Sequence, residues 1–119
     1  MQPMRIELSG STPPAEQIVD QLRGLIASGQ LSADDRLPSV RQLARDLSIA
    51  PGTVAKAYRA LEADGFLTAK AGGSTRVGPS AATTNRKVLE AARALSAQCA
   101  AADVGLEDAL RILRATWGT

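Results

Sequence analysis

Two helix-start signals lie close together in the middle of the sequence and constrain the fold more than any other feature. Ser39 and Gln42 form the S-x-x-Q pattern of a capping box, in which each side chain satisfies a backbone donor at the start of a helix. Pro51 suits the first position of another helix, because it has no N–H to lose there and its φ is already set. The sequence therefore predicts a short helix from Ser39 to about Leu47, a turn over residues 48–50, and a further helix.

Apolar residues recur at helical spacing in three successive segments of the chain. The first segment predicts a helix from about Ala15 to Ser28, which Gly29 should stop. The third segment predicts that the helix starting at Pro51 ends at Gly65. The residues expected to face inward from the three helices are, in order, Ile18, Leu22, Leu25 and Ile26; Val40, Leu43, Ala44 and Leu47; and Val54, Ala57, Tyr58 and Leu61.

Beyond the third helix, the apolar period shortens to that of a strand. Residues 66–70 and 75–77 flank a glycine-containing segment at 71–74, which predicts a two-stranded hairpin. Residues 4–8 predict another short strand. The order helix, short helix, turn, helix and hairpin is the plan of a winged helix-turn-helix domain, in which the helix after the turn enters the major groove of DNA. We therefore predict a mainly α fold with a small β-hairpin wing over residues 1–78.

The remaining third of the chain has a different character. Residues 79–84 predict a small-residue linker, and two further helical stripes follow over residues 85–119. Gly105 should stop the first of these helices, and Trp117 should lie on the apolar face of the second. Two such helices cannot bury both of their apolar faces alone, so a second copy of the chain is expected to cover them. Packing onto the chain's own winged domain is the alternative. The residues expected at this homodimer interface, with Cys99 as a structural thiol and Trp117 as an anchor, are Val88, Ala92, Leu95, Cys99, Leu106, Leu110, Leu113 and Trp117.

Positive charge is concentrated in the helix-turn-helix and the wing. The formal net charge of the chain is only +2, but residues 39–78 hold six basic and three acidic residues, whereas residues 1–38 hold three basic and five acidic ones. With its apolar face turned inward, the third helix leaves Thr53, Lys56 and Arg59 available for a DNA groove or its phosphates. Taken singly, such side chains are usually only solvated charge.

The residue types that are missing argue against other classes of function. The chain has no histidine and one cysteine, and it shows no P-loop or paired carboxylates, so we expect neither an enzyme nor a metal or cofactor site. No apolar run approaches the roughly 18 residues of a membrane span, and no secretory signal is apparent, so a cytoplasmic protein with no membrane partner is expected. The main alternative to a DNA-binding protein is a winged-helix module for protein contacts, such as an adaptor or an antitoxin.

An ordered series of short motifs runs through the predicted helix-turn-helix and wing: Leu37 to Ala44 (LPSVRQLA), Thr53-Val54, Ala57-Tyr58, Leu61-Glu62, Gly65, and Gly72 to Val77. Over roughly residues 5–78 this series resembles the DNA-binding domain of the GntR family of bacterial transcription regulators. In that family the arginine of L-P-S-x-R, the start of the recognition helix and the glycine-bearing wing tip touch DNA, which implies Arg41, Thr53, and Gly72 or Gly73 here. The full predicted DNA-binding set is Ser39, Arg41, Arg45, Gly52, Thr53, Lys56, Arg59, Gly72 and Gly73.

The chain departs from the family pattern in two places. Many members have Ser-Arg or Thr-Arg where this chain has Ala50-Pro51, which removes a capping hydroxyl and a base-reading guanidinium. In the wing, Ser74 replaces the second glycine of the common G-x-G-T-F-V pattern, and Arg76 replaces its phenylalanine. Arg76 could add a phosphate contact or simply face solvent.

The C-terminal tail is too short for the effector-binding domains of larger family members. It is similar instead to the tail of the YtrA-type subfamily, in which a short helical segment dimerises the protein and the target is often the regulator's own operon, commonly with transporter genes. The resemblance implies a dimeric repressor that binds an inverted-repeat operator in double-stranded DNA. The sequence names no small-molecule effector.

Overall fold

The computed structural model describes residues 5–69, 73–79 and 86–118. The chain divides into two compact units, Met1–Thr83 and Thr84–Thr119. The elements within the described ranges are, in chain order, α1 (Pro14–Ala27), β1 (Arg36–Leu37), α2 (Val40–Leu47), α3 (Pro51–Ala63), β2 (Leu67–Ala69), β3 (Thr75–Val77), α4 (Arg86–Ala101) and α5 (Leu106–Thr116). The predicted mainly α fold with a small β wing is confirmed. No helix in these ranges is long and apolar enough to cross a membrane.

The core of the first unit is built around α3, which packs against both α1 and α2. The buried side chains that the helices contribute are Val54, Ala57, Tyr58 and Leu61 of α3, Ile18, Leu22 and Ile26 of α1, and Leu43 and Ala44 of α2. Ile6, Leu37, Leu67 and Val77 complete the core. Leu25, Val40 and Leu47, also predicted to face inward, are partly buried and pack at the edge of this core. Burial of each large aliphatic side chain contributes about 1.5–3 kcal/mol, so these contacts hold the three helices together.

The start of α2 forms only half of the predicted capping box. The Ser39 hydroxyl accepts the backbone N–H of Gln42 at 3.1 Å, as expected. The Gln42 side chain, however, donates to the Asp46 carboxylate at 2.8 Å instead of reaching back to the cap. This i, i+4 pairing on the helix surface takes the place of the bond between the Ser39 backbone N–H and the Gln42 side chain that would complete the capping box.

The turn between α2 and α3 follows the prediction closely. Ser48 ends α2 in the left-handed conformation, with φ +57°. Ala50 is extended, and Pro51 is the first residue of α3. The helix ends at Ala63, two residues before the predicted Gly65.

The predicted strand at residues 4–8 is wrong for the described residues 5–8, which are irregular. Two glutamines one turn apart on α1 hold this segment. Gln21 accepts the Glu7 N–H at 2.9 Å and donates to the Glu7 carbonyl at 2.6 Å. Gln17 accepts the Ser9 N–H at 2.9 Å and donates to the Thr12 carbonyl at 2.6 Å. Side-chain amides thus supply the hydrogen bonds that a neighbouring strand would otherwise provide.

The wing is part of a three-stranded antiparallel sheet with the order β1-β3-β2. The hairpin of β2 and β3 is confirmed. The sequence missed β1, whose Arg36 and Leu37 pair with Arg76 and Thr75 of β3. Two residues are too few to show an alternating pattern, so only the pairing partner reveals this strand.

The second unit is a pair of helices. The α4 helix ends at Ala101, before the predicted stop at Gly105, because Asp103 takes a left-handed conformation, φ +57°, and the Val104 N–H donates back to the Cys99 carbonyl at 2.8 Å. Gly105 is instead the N-cap of α5. The predicted linker lies largely outside the described residues.

The second unit leaves many of its large apolar side chains exposed. In the described parts of the chain, every exposed large apolar residue belongs to this unit: Val88, Leu95, Leu106, Ile112, Leu113 and Trp117. Trp117 is not on the last helix as predicted but follows its end in extended conformation, 78% exposed. Cys99 is half-buried.

Candidate nucleic-acid interface

The α3 helix presents a basic face opposite its buried face. A helix advances about 100° per residue, so Gly52, Lys56 and Arg59 fall on the side away from Val54 and Leu61. All three outward residues are exposed. Thr53 lies at the flank of this face and is half-buried.

The α2 helix adds two further cations. Arg41 is the second residue of α2, and Arg45 lies one turn later; both are exposed, as is the cap residue Ser39. Among the described residues, none of these arginines, nor Lys56 or Arg59, forms an ion pair with a carboxylate. The four cations are therefore available to an external anion.

The register of the sheet brings the start of α2 beside the tip of the wing. Leu37 of β1 lies opposite Thr75 of β3, and antiparallel partners are about 4.5–5.5 Å apart at Cα. Ser39 follows Leu37 by two residues, and Gly73 precedes Thr75 by two, so both lie at one end of the sheet. Gly73 is exposed with φ +89°, a conformation that glycine adopts without steric cost. Gly72, the other predicted wing residue, lies outside the described residues.

A partly buried hydrogen bond joins α3 to the segment before α2. The Tyr58 hydroxyl donates to the Pro38 carbonyl at 2.7 Å. Burial raises the pKa of Tyr58 well above its ordinary value, because the phenolate would be desolvated. The sequence indicates Tyr58 only as a core residue; a buried tyrosine usually finds a polar partner, but spacing alone does not say which.

Arg76 of β3 joins the wing sheet to the loop that precedes β1. Its guanidinium donates to the Asp34 carbonyl at 3.0 Å, and the residue is half-buried. In the sheet register it also faces Arg36, so two like charges stand opposite each other. Both roles that the sequence left open for Arg76, a phosphate contact and exposure to solvent, stay predictions.

This arrangement of three packed helices, an exposed basic third helix and an adjacent β wing defines a winged helix-turn-helix protein. Residues 14–77 match the family model described as bacterial regulatory proteins, gntR family. The chain belongs to this family, and the resemblance predicted from its motifs is confirmed.

Comparison with individual proteins points to the YtrA branch. The chain is 40% identical over 81 residues to the HTH-type transcriptional repressor YtrA of Bacillus subtilis, a match that covers 68% of this chain and 62% of that protein. It is thus aligned with less than two thirds of that relative. The solved structure of YtrA from Sulfolobus acidocaldarius, a GntR-family transcription factor, is 36% identical with a TM-score of 0.57, covering 76% of this chain and 96% of the other. A transcriptional regulator from Oenococcus oeni is 31% identical with a TM-score of 0.57, over 99% and 100% of the two chains.

Proposed function

We propose that this chain binds a specific double-stranded DNA sequence as a dimeric transcription regulator that acts in the cytoplasm, most simply as a repressor. The observation that carries the proposal is the set of exposed cations on α2 and α3, without ion pairs among the described residues, together with the start of α2 at the end of the sheet where Gly73 lies. The AraR DNA-binding domain, which shares the fold, has been solved in complex with operator DNA.

The α3 helix is the element that enters the major groove in this proposal. The groove is roughly 12 Å wide and admits one helix. Gly52 at the start of α3 has open space around it, so the backbone can approach DNA closely at this point. Lys56 and Arg59 then reach base edges or phosphates along the groove, while Thr53 lies at its margin.

Arg41 takes a larger share of base reading in this chain than the family pattern alone suggests. Because Ala50 and Pro51 lack a polar side-chain donor and Gly52 has no side chain, residues 50–52 can offer only backbone groups at the start of α3. The Arg41 guanidinium is exposed at the adjacent helix start and can bind guanine through two hydrogen bonds. Arg45, one turn further, suits a phosphate, and the wing backbone at Gly73 suits the neighbouring groove.

The second unit supports dimerisation through the predicted interface. Its described residues include no fully buried side chain, and α4 and α5 line an apolar cleft of about 350 Å³ with Leu95, Cys99, Leu110 and Leu113. A helix pair without a core is not stable by itself, so its apolar faces need a partner. A second copy offers the same faces by two-fold symmetry. Packing against the winged unit of the same chain is the competing outcome.

The proposal is tested by selecting duplexes from a random pool with the full chain and measuring affinity at several salt concentrations. We expect an enriched inverted repeat and an affinity that falls steeply with salt, since bound phosphates release counterions. Arg41→Ala and Lys56→Ala should reduce binding, whereas Arg114→Ala, an exposed arginine of the second unit, serves as the matched charge control. A winged-helix module for protein contacts would enrich no duplex sequence from the pool, and this result would refute the proposal.

The region upstream of the encoding gene is the first natural candidate for the operator. Regulation of the chain's own operon, with neighbouring transporter genes, predicts that the selected inverted repeat overlaps that promoter. A reporter driven by this promoter should lose expression when the protein is supplied. Increased expression would indicate an activator instead.

A further inference from the structure

The Tyr58 hydroxyl connects the two helices of the proposed DNA-binding surface. Tyr58 is only 2% exposed and donates to the Pro38 carbonyl at 2.7 Å. Pro38 immediately precedes Ser39, the N-cap of α2, and Arg41 follows in the first turn. One hydrogen bond therefore runs from the middle of α3 to the point where α2 begins.

The Pro38 carbonyl is not part of the helix that follows it. The first backbone acceptor of α2 is the Ser39 carbonyl, which receives the Leu43 N–H at 2.9 Å. The Ser39 hydroxyl is occupied by the Gln42 N–H. Tyr58 is thus the partner that the Pro38 carbonyl obtains from another element, and losing its hydroxyl leaves this partly buried carbonyl without that bond.

We propose that Tyr58 is a positioning residue for sequence-specific binding, because its hydroxyl sets where Arg41 stands relative to Lys56 and Arg59. This inference rests on the proposed DNA-binding function. A bidentate contact with a base edge depends on donor positions and angles, whereas attraction to a phosphate changes slowly with distance. Loss of the hydroxyl should therefore reduce discrimination between sequences more than general affinity for DNA.

The test uses Tyr58→Phe in the full chain, which keeps the ring and removes the hydroxyl. Dissociation constants are measured for the selected operator and for a random duplex of equal length at one salt concentration. We expect the ratio of the two constants to fall by at least about fivefold, the lower end of what one bidentate base contact contributes. Affinity for the random duplex should stay unchanged.

Two further variants separate positioning from a loss of stability. Leu61→Val removes a methylene from the same buried face of α3 without touching the Pro38 carbonyl, and it should leave the ratio unchanged. Combined with Arg41→Ala, Tyr58→Phe should add little to the loss that Arg41→Ala causes alone, because both changes affect one contact. A full additive loss, or an equal loss in Leu61→Val, would overturn the assignment.

A measurement on the unsubstituted sequence covers the case in which Tyr58→Phe does not fold. Tyr58 is the sole tyrosine of the chain, so uniform fluorotyrosine labelling gives one ¹⁹F resonance from this ring. We expect the resonance to shift with operator and not with random duplex; an identical response to both would contradict the inference. If the parent protein binds the selected operator and the random duplex equally well, the proposed function is refuted, and this inference with it. If Tyr58→Phe keeps the parent's preference for the operator, only the inference is refuted.

Discussion

Leu37 lies directly opposite Thr75 in the register of the sheet, and this pairing joins the L-P-S segment to the end of the wing hairpin nearest its turn. Leu37 is buried, and the chain passes from it through Pro38 to the cap of α2. The start of α2 and the wing are therefore linked through the two residue pairs of β1 and β3, Arg36 with Arg76 and Leu37 with Thr75.

Arg41 is expected to contribute base recognition. Arg41→Ala should weaken operator binding by about 1–3 kcal/mol with a much smaller effect on random DNA, because a bidentate base contact is lost. Competition titrations with both duplexes measure the difference. An equal loss on both would assign Arg41 to a phosphate, and no loss on either would remove it from the interface.

The second unit is expected to hold the dimer. Truncation after Gly78 removes this unit but keeps every described residue of the core, which spans Ile6 to Val77. The shortened chain should fold as a monomer, whereas the full chain sediments as a dimer. Analytical ultracentrifugation with circular dichroism checks both statements, and a truncated chain that still dimerises would contradict the assignment.

We expect the two winged units of a dimer to bind the operator together. Two winged units related by a two-fold axis match a two-fold symmetric sequence, so an isolated half-site should bind much more weakly than the full inverted repeat. Insertion of half a helical turn at the centre of the repeat should also weaken binding, because the second half-site then faces away. Equal affinity for all three duplexes in a titration would show that the two winged units bind DNA independently.

Gly78 is expected to tolerate no side chain. A Cβ at this position would lie 2.6 Å from the Gly65 carbonyl oxygen, a backbone atom that cannot move without disturbing the end of α3. Gly78→Ala should therefore lower the free energy of unfolding by about 1–3 kcal/mol. The matched control is Gly24→Ala in α1, where nothing lies near the added Cβ and a gain of roughly 0.5–1 kcal/mol is expected. Urea denaturation measures both changes.

The stability of the fold is expected to decline at high pH through Tyr58. Burial raises the pKa of its phenol in the folded state, while the unfolded chain releases the proton near pH 10. The contribution is thus fully present below about pH 10 and is lost as the pH rises above it. The free energy of unfolding should fall more between pH 9 and 11 (roughly one unit either side of that pKa) in the parent than in Tyr58→Phe. Equal declines would contradict this role of the phenol.

Local signals in the sequence determined the three helices and the hairpin of the first unit. The spacing of apolar residues identified all four buried side chains of α3, and Pro51 marked its first residue, because both effects act within one or two turns of chain. The cations Lys56 and Arg59 could be placed outward for the same reason. These features depend on neighbours in sequence and need no knowledge of the fold.

Only the tertiary structure decided the features that depend on distant partners. The two-residue β1 exists because β3 pairs with it, and residues 5–8 are irregular because Gln21 binds the Glu7 backbone. The partner of the Tyr58 hydroxyl, twenty residues away in the chain, was likewise invisible in the sequence. A hydrogen bond between distant segments leaves no periodic trace, because its geometry is set by how the helices pack and not by the spacing of residues along either one.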